Sequence, residues 1–200
     1  DGRTIEIETG KLAKQADTLM TYYNIEESVV EEILKGLGYS NIEHRLEKNF
    51  SYYLPRTSHG STLSKVVHAY LAKIIGKKDM CWNMYLEALL SDYNDIQGGT
   101  TAEGIHVGVM GGTVLSALTI FGGINWQGEA LRIEPNLPIN WKSLKFKFRF
   151  KAEDYSFALS HDNLIIGFES KKNKTGRIFL KGNRIKLINK EYTTVSLLDK

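Results

Sequence analysis

Thr57-Ser58-His59-Gly60-Ser61-Thr62-Leu63-Ser64 stands directly before a stretch in which Leu63, Val66, Val67, Tyr70, Leu71, Ile74 and Ile75 recur at helical spacing. The pattern predicts a helix over about 61–75, capped by Ser61 or Thr62 and stopped by Gly76. A helix start leaves backbone N–H groups without intrahelical partners, at the positive end of the helix dipole. Phosphate fits such a place, and so does an ordinary capped start with no ligand. Downstream, Gln97-Gly98-Gly99-Thr100-Thr101-Ala102-Glu103-Gly104-Ile105-His106 repeats the combination and opens onto an apolar helix expected over about 101–121. Each turn holds a histidine, able to hydrogen-bond an oxyanion and, when protonated, to attract it. We expect the two turns to meet in space and form one phosphate pocket.

Outward from these turns, Val29, Val30, Ile33, Leu34 and Leu37 predict a helix over about 26–37. Another is expected over about 79–91, burying Trp82, Tyr85, Leu86, Leu89 and Leu90. Residues 42–56 keep no helical period, and Asn49 to Pro55 is expected to be an extended aromatic approach, Pro55 disfavouring helix at Leu54. Gly104, Gly108, Gly111 and Gly112 each cost a helix roughly 1 kcal/mol relative to alanine, which predicts close backbone packing there. Glu103 and His106, three apart on that helix, are expected to share a face. Beyond Gly122, alternating segments at 144–150, 155–159, 164–169, 177–181 and 184–188 predict strands, with turns at Asp162-Asn163, Lys172-Asn173 and Gly182-Asn183.

Composition bounds the function. With 42% hydrophobic and 24% charged residues, 200 residues can bury a core. Residues 141–200 carry +8 and the rest −5, a shift that suggests a domain boundary. The lysines of Lys145-Phe146-Lys147-Phe148-Arg149-Phe150 alternate with aromatics as a solvated strand face does, so nucleic acid is not an expected partner. No apolar run reaches membrane-spanning length, and the single Cys81 fits a reducing compartment, here taken as the cytoplasm. No zinc spacing, Walker loop, dinucleotide fingerprint or serine elbow occurs, so no metal and no cofactor are expected.

Lys14-Gln15-Ala16-Asp17, Tyr52-Tyr53-Leu54-Pro55-Arg56 with the first turn, and the second turn follow one another in an order that resembles the C-terminal part of the glycoside hydrolase family 65 phosphorylases. The similarity covers about residues 10–170, the last strands less distinctly. The resemblance implies an α+β chain: C-terminal helices of an (α/α)6 barrel over 1–125, then a small antiparallel β-sandwich over 126–200. It implies inverting phosphorolysis of an α-glucosidic disaccharide to β-glucose 1-phosphate, with inorganic phosphate as co-substrate and nucleophile. Lys14 and Gln15 would hold glucose. His59, Gly60, Ser61, Thr62, Gly98, Gly99, Thr100, Thr101 and His106 would hold phosphate, and Glu103 would orient His106 or bind sugar. The general acid would lie upstream, leaving this chain inactive alone, dependent on the remainder of the enzyme and prone to homo-oligomerise. A hydrolase that activates water, and a non-catalytic carbohydrate module using Trp126 and Trp141, are the alternatives.

Overall fold

The computed structural model describes residues 13, 15–40, 42–59, 61–95 and 104–198. The chain divides into two compact units, Asp1–Val114 and Leu115–Lys200.

In the first unit the helices are α1 (Met20–Asn24), α2 (Glu27–Gly36), α3 (Arg45–Tyr53), α4 (Leu63–Ile74), α5 (Lys78–Leu89) and α6 (Val107–Ser116), the last running across the division between units. Helix α3 replaces the extended approach expected for 49–55. Leu46 and Phe50, four residues apart and both fully buried, make a stripe too short to stand out in the sequence. Pro55 lies in a 3₁₀ turn, Leu54–Arg56, at its opening positions, where its missing N–H costs no hydrogen bond. The stripe of α2 is apolar but largely uncovered: only Val30 is buried, while Val29, Ile33 and Leu37 are exposed. In α5 the buried side chains are Cys81, Tyr85 and Ala88, and Leu89 and Leu90 are exposed.

Around the site, α4, α5 and α6 share one cluster, Val66, Ala88 and Val109, each at most 3% exposed. Gly112 is where α6 comes close: a Cβ there would stand 3.1 Å from Val66 Cγ2. At Gly104, Gly108 and Gly111 no described atom lies within 4 Å of such a Cβ, so close packing accounts for one of the four glycines. Helix α6 also starts later than expected, at Val107, leaving Gly104, Ile105 and His106 outside the helix.

After a π-helical turn, Ala117–Phe121, the second unit forms two four-stranded sheets. One runs in the order β1 (Ile124–Asn125), β2 (Leu131–Ile133), β6 (Thr175–Leu180), β7 (Asn183–Ile188). The other runs β3 (Leu144–Phe150), β4 (Glu153–Leu159), β5 (Asn163–Glu169), β8 (Tyr192–Ser196). Alternation puts Tyr155, Phe157 and Leu159 of β4 and Leu164, Ile166 and Phe168 of β5 into a core shared with Leu131, Ile133, Ile178, Leu180 and Leu187 of the first sheet. The hairpin between β6 and β7 turns through Lys181 and Gly182, both left-handed, as a two-residue hairpin requires. One pairing departs from the expected antiparallel sandwich: β2 lies parallel to β6, Leu131 opposite Ile178. Alternation marks a strand's faces but says nothing of its neighbour's direction, and a three-residue strand offers little alternation to find. Trp126 packs at a tilt against Phe148 at 5.4 Å and Trp141 meets Phe121 edge-on at 5.0 Å. Both indoles are thus engaged with this unit's own aromatic side chains, which weakens the expected use of these two side chains as sugar platforms.

Candidate active site

Ser64, in the first turn of α4, is the joint of the first site. Its hydroxyl donates to the Ser61 carbonyl at 2.8 Å, so its lone pair accepts from Nδ1–H of His59 at 2.7 Å. Its carbonyl accepts from Nδ1–H of His68 at 2.7 Å. Both imidazoles are thereby held in the tautomer that leaves Nε2 as an acceptor. The rings meet edge-on in sequence, His59 with His68 at 5.0 Å and His68 with Phe50 of α3 at 5.5 Å. His59 takes a left-handed backbone, φ 50°, a conformation that non-glycine residues adopt at functional turns more than elsewhere.

The helix start differs from an open cradle of amides. Leu63 N–H donates to Ser61 Oγ at 3.3 Å, Ser64 N–H to the Ser61 carbonyl at 3.1 Å and Lys65 N–H to the Thr62 carbonyl at 3.0 Å. Those three donors are spent locally. Thr62 makes no side-chain cap bond, and its hydroxyl, in a residue 3% exposed, has no partner among the described residues. A buried hydroxyl gains stability from any partner it bonds, so Thr62 is a candidate for ligand contact. Lys65, one residue into the helix beyond Ser64, is buried with its ammonium on Glu87 of α5 at 2.5 Å.

His106 is held in the same way by a different partner. Asp92, three residues past α5, accepts the His106 backbone N–H at 2.8 Å and its ring Nδ1–H at 2.6 Å. His106 in turn supplies the carbonyl that takes the first helical bonds of α6, from Val109 and Met110. A carboxylate therefore already occupies the positive end of this helix. The hydrogen bond from the His106 ring, with that from its amide, holds the Asp92 carboxyl below the ordinary carboxylate range.

The two helix starts converge through α5. Val66 is the fourth residue of α4 and Val109 the third of α6, and both pack on Ala88 near the end of α5. Glu87 and Asp92, flanking that contact, reach one to Lys65 and the other to His106. Upstream, Ala13 bridges the first turn: its N–H donates to Arg56 and its carbonyl accepts from Ser58, at 3.0 and 2.9 Å. Gln15, two residues on, is exposed beside that stitch. Of the anticipated site residues, Gln15, His59, Ser61, Thr62 and His106 are thus placed on elements bound together, while Lys14, Gly60, Gly98, Gly99, Thr100, Thr101 and Glu103 lie outside the described residues. Ile105 and His106 precede α6, so His106 does not stand on the helix on which it was expected. Sequence reasoning missed Asp92, Lys65, Glu87 and His68, whose roles depend on partners 14 to 22 residues away or on burial.

Burial lowers the pKa of both His68 and His59, and for His59 the neighbouring His68 and Lys65 add to it. Histidines that resist protonation when folded stabilise the fold fully above their unfolded pKa, about 6.5. That stability is lost as pH falls through 6.5 towards the folded values, because the unfolded chain then binds protons first. Denaturant melts of this chain should therefore weaken from pH 7.5 to pH 5. A His68→Asn variant should show a shallower slope over the same interval, and an unchanged slope would exclude His68 as its source.

The fold and site together define an α+β protein in which a helical unit presents two histidine-bearing helix starts and a β-sandwich follows. Residues 2–115 match the model of the glycosyl hydrolase family 65 central catalytic domain, and residues 124–187 that of the family's C-terminal domain. The chain belongs to glycoside hydrolase family 65. It is 40% identical over 156 residues to trehalose 6-phosphate phosphorylase of Lactococcus lactis, covering 78% of this chain and 20% of that protein. To kojibiose phosphorylase of Halothermothrix orenii it is 28% identical over 187 residues, covering 92% of this chain and 22% of that one. A solved structure described as a kojibiose phosphorylase from human microbiome superposes with a TM-score of 0.73 at 27% identity, over 95% of this chain and 26% of the other. The chain thus spans about a fifth of the length of these relatives.

Proposed function

We propose that these residues are the phosphate- and glucose-binding part of an inverting α-glucoside phosphorylase. The observation that carries this is the convergence of both histidine-bearing helix starts on the end of α5, with Glu87 and Asp92 fixing Lys65 and His106. In such a reaction a phosphate oxygen attacks the anomeric carbon from the face opposite the leaving oxygen, the C–O bond breaks, and a carboxylic acid protonates the leaving sugar. That acid is not among the residues named here. Phosphate, already anionic, needs orientation and charge compensation more than a base. His59, with Nδ1–H engaged by Ser64, presents Nε2 as an acceptor for the P–OH of monohydrogen phosphate, and His106, held by Asp92, adds a second ring nitrogen. This leaves the ionised oxygens for Thr62 O–H to bond and for attack. Gln15 and Lys14 are the proposed glucose contacts.

The test has two parts. Titrating this chain with inorganic phosphate should shift the His59 and His106 ring resonances, and a Thr62→Val variant should weaken the response. In the full-length polypeptide that carries these residues, disaccharide cleavage should require phosphate and yield a sugar phosphate. Cleavage that continues unchanged without phosphate would establish the hydrolytic alternative instead.

A further inference from the structure

We propose that the outer face of the β3-β4-β5-β8 sheet is a binding site for a neutral pyranose oligosaccharide, with Tyr192 as its platform. This does not rest on the phosphorolytic function. Register places Lys147, Ser156, Gly167 and Tyr192 in one row across the four strands, and Arg149, Asp154 and Glu169 in the next row on the same face. The opposite face of these strands, with Phe148, Tyr155 and Phe168, belongs to the core. A groove of about 670 Å³ lies along the two rows, within the size range of small-ligand sites.

Gly167 makes room for the platform. With no side chain in the middle of the row, it lets the Tyr192 ring lean over the sheet: Cε1 lies 2.8 Å from where a Cβ at Gly167 would stand, and the Ser156 hydroxyl closes the other side. One edge of the ring thereby lies over Gly167, yet Tyr192 remains 76% exposed. A large aromatic left in water over a glycine offers its open face to the C–H face of a pyranose. Across the groove, on β3 and β4, Arg149 grips Asp154 with two parallel hydrogen bonds, Nε to Oδ1 at 2.6 Å and Nη2 to Oδ2 at 2.7 Å. Such a planar fork retains further N–H donors and acceptor lone pairs, suited to adjacent sugar hydroxyls. Lys147, Arg149 and Lys190 are balanced by Asp154, Glu169 and Glu191 around the groove, so its charge selects neither an anion nor a cation. Aromatic platform, paired polar groups and balanced charge together favour a neutral polyhydroxyl ligand.

The experiment is amide-resolved NMR of this chain titrated with maltotriose and, separately, cellotriose. Shifts at Ser156, Gly167 and Tyr192 that saturate with either sugar are expected. Tyr192→Ala should weaken that binding roughly tenfold or more, Tyr192→Phe should retain it, and Arg149→Met should weaken it with the fold intact. Should Tyr192→Ala melt at a lower temperature, Arg149→Met, an exposed position, carries the test alone. Absence of shifts in this row with both sugars, or binding indifferent to Tyr192 and Arg149, overturns the proposal. His59→Ala should leave these shifts unchanged, which separates failure here from failure of the phosphate site.

Discussion

A Gly123→Ala variant is expected to melt far earlier in its β unit, while Gly182→Ala, at an almost equal backbone angle, is expected to melt only slightly early. Gly123 has φ +69° and Gly182 φ +78°, and left-handed backbone alone costs alanine about 1–2 kcal/mol. Space separates them. No described atom lies within 4 Å of a Cβ at Gly182, which sits in the open hairpin turn between β6 and β7. At Gly123 a Cβ would overlap the carbonyl of Glu134 and stand 2.7 Å from the Pro135 nitrogen. Backbone cannot step aside there, because the Glu134 N–H is bonded to the Gly123 carbonyl at 2.9 Å and Ile124 pairs with Ile133 next to it. Relief requires unpairing β1 from β2 and uncovering Ile124, Leu131 and Ile133, all at most 3% exposed. The combined loss belongs to the exceptional class above roughly 4 kcal/mol, which for a unit this size lowers the melting midpoint by more than about 15 °C. Thermal melts followed by tryptophan fluorescence check it, and midpoints within a few degrees of each other for the two variants would refute it.

Asp92→Ala is expected to have the largest effect on phosphate use, although Asp92 is not proposed to touch phosphate. The carboxylate accepts both the backbone N–H and the ring Nδ1–H of His106, so it sets the tautomer and the direction of the ring. Without it the imidazole is free to rotate and to exchange tautomers. Misplacement of a positioned group by about 1 Å can cost roughly a hundredfold in rate. In the full-length polypeptide the expected result is a raised KM for phosphate with a much smaller change for the disaccharide, and partial rescue by Asp92→Glu. The depressed Asp92 carboxyl adds a pH condition. Its contribution is complete above the ordinary carboxylate range and is lost only as pH falls below it, so between pH 5 and 8 Asp92 should add no inflection of its own. Equal losses for phosphate and for sugar would reduce Asp92 to a structural residue.

Local chemistry in the sequence determined a good deal. The apolar spacing in α4 and α5 and the alternation of β3 to β7 follow from side-chain periods of 3.6 and 2, which any chain must obey to bury one face. The two glycine-and-hydroxyl turns, and a histidine in each, were equally visible. Tertiary structure alone decided three other matters. Helix α3 exists because Leu46 and Phe50 find a buried place against their neighbours, the latter beneath His68, in spite of a nearby proline. Strand β2 runs parallel to β6 because pairing direction is set by where the chain returns, not by its alternation. The amides expected to cradle an anion at α4 are spent on Ser61 and Thr62, and orientation of the histidines passes to Ser64 and Asp92. A periodic stripe reports that a face is apolar without reporting what covers it, as exposed Ile33 and Leu37 show. A hydrogen-bond partner 14 residues away leaves no local mark, because it is distance through space, not along the chain, that fixes its energy.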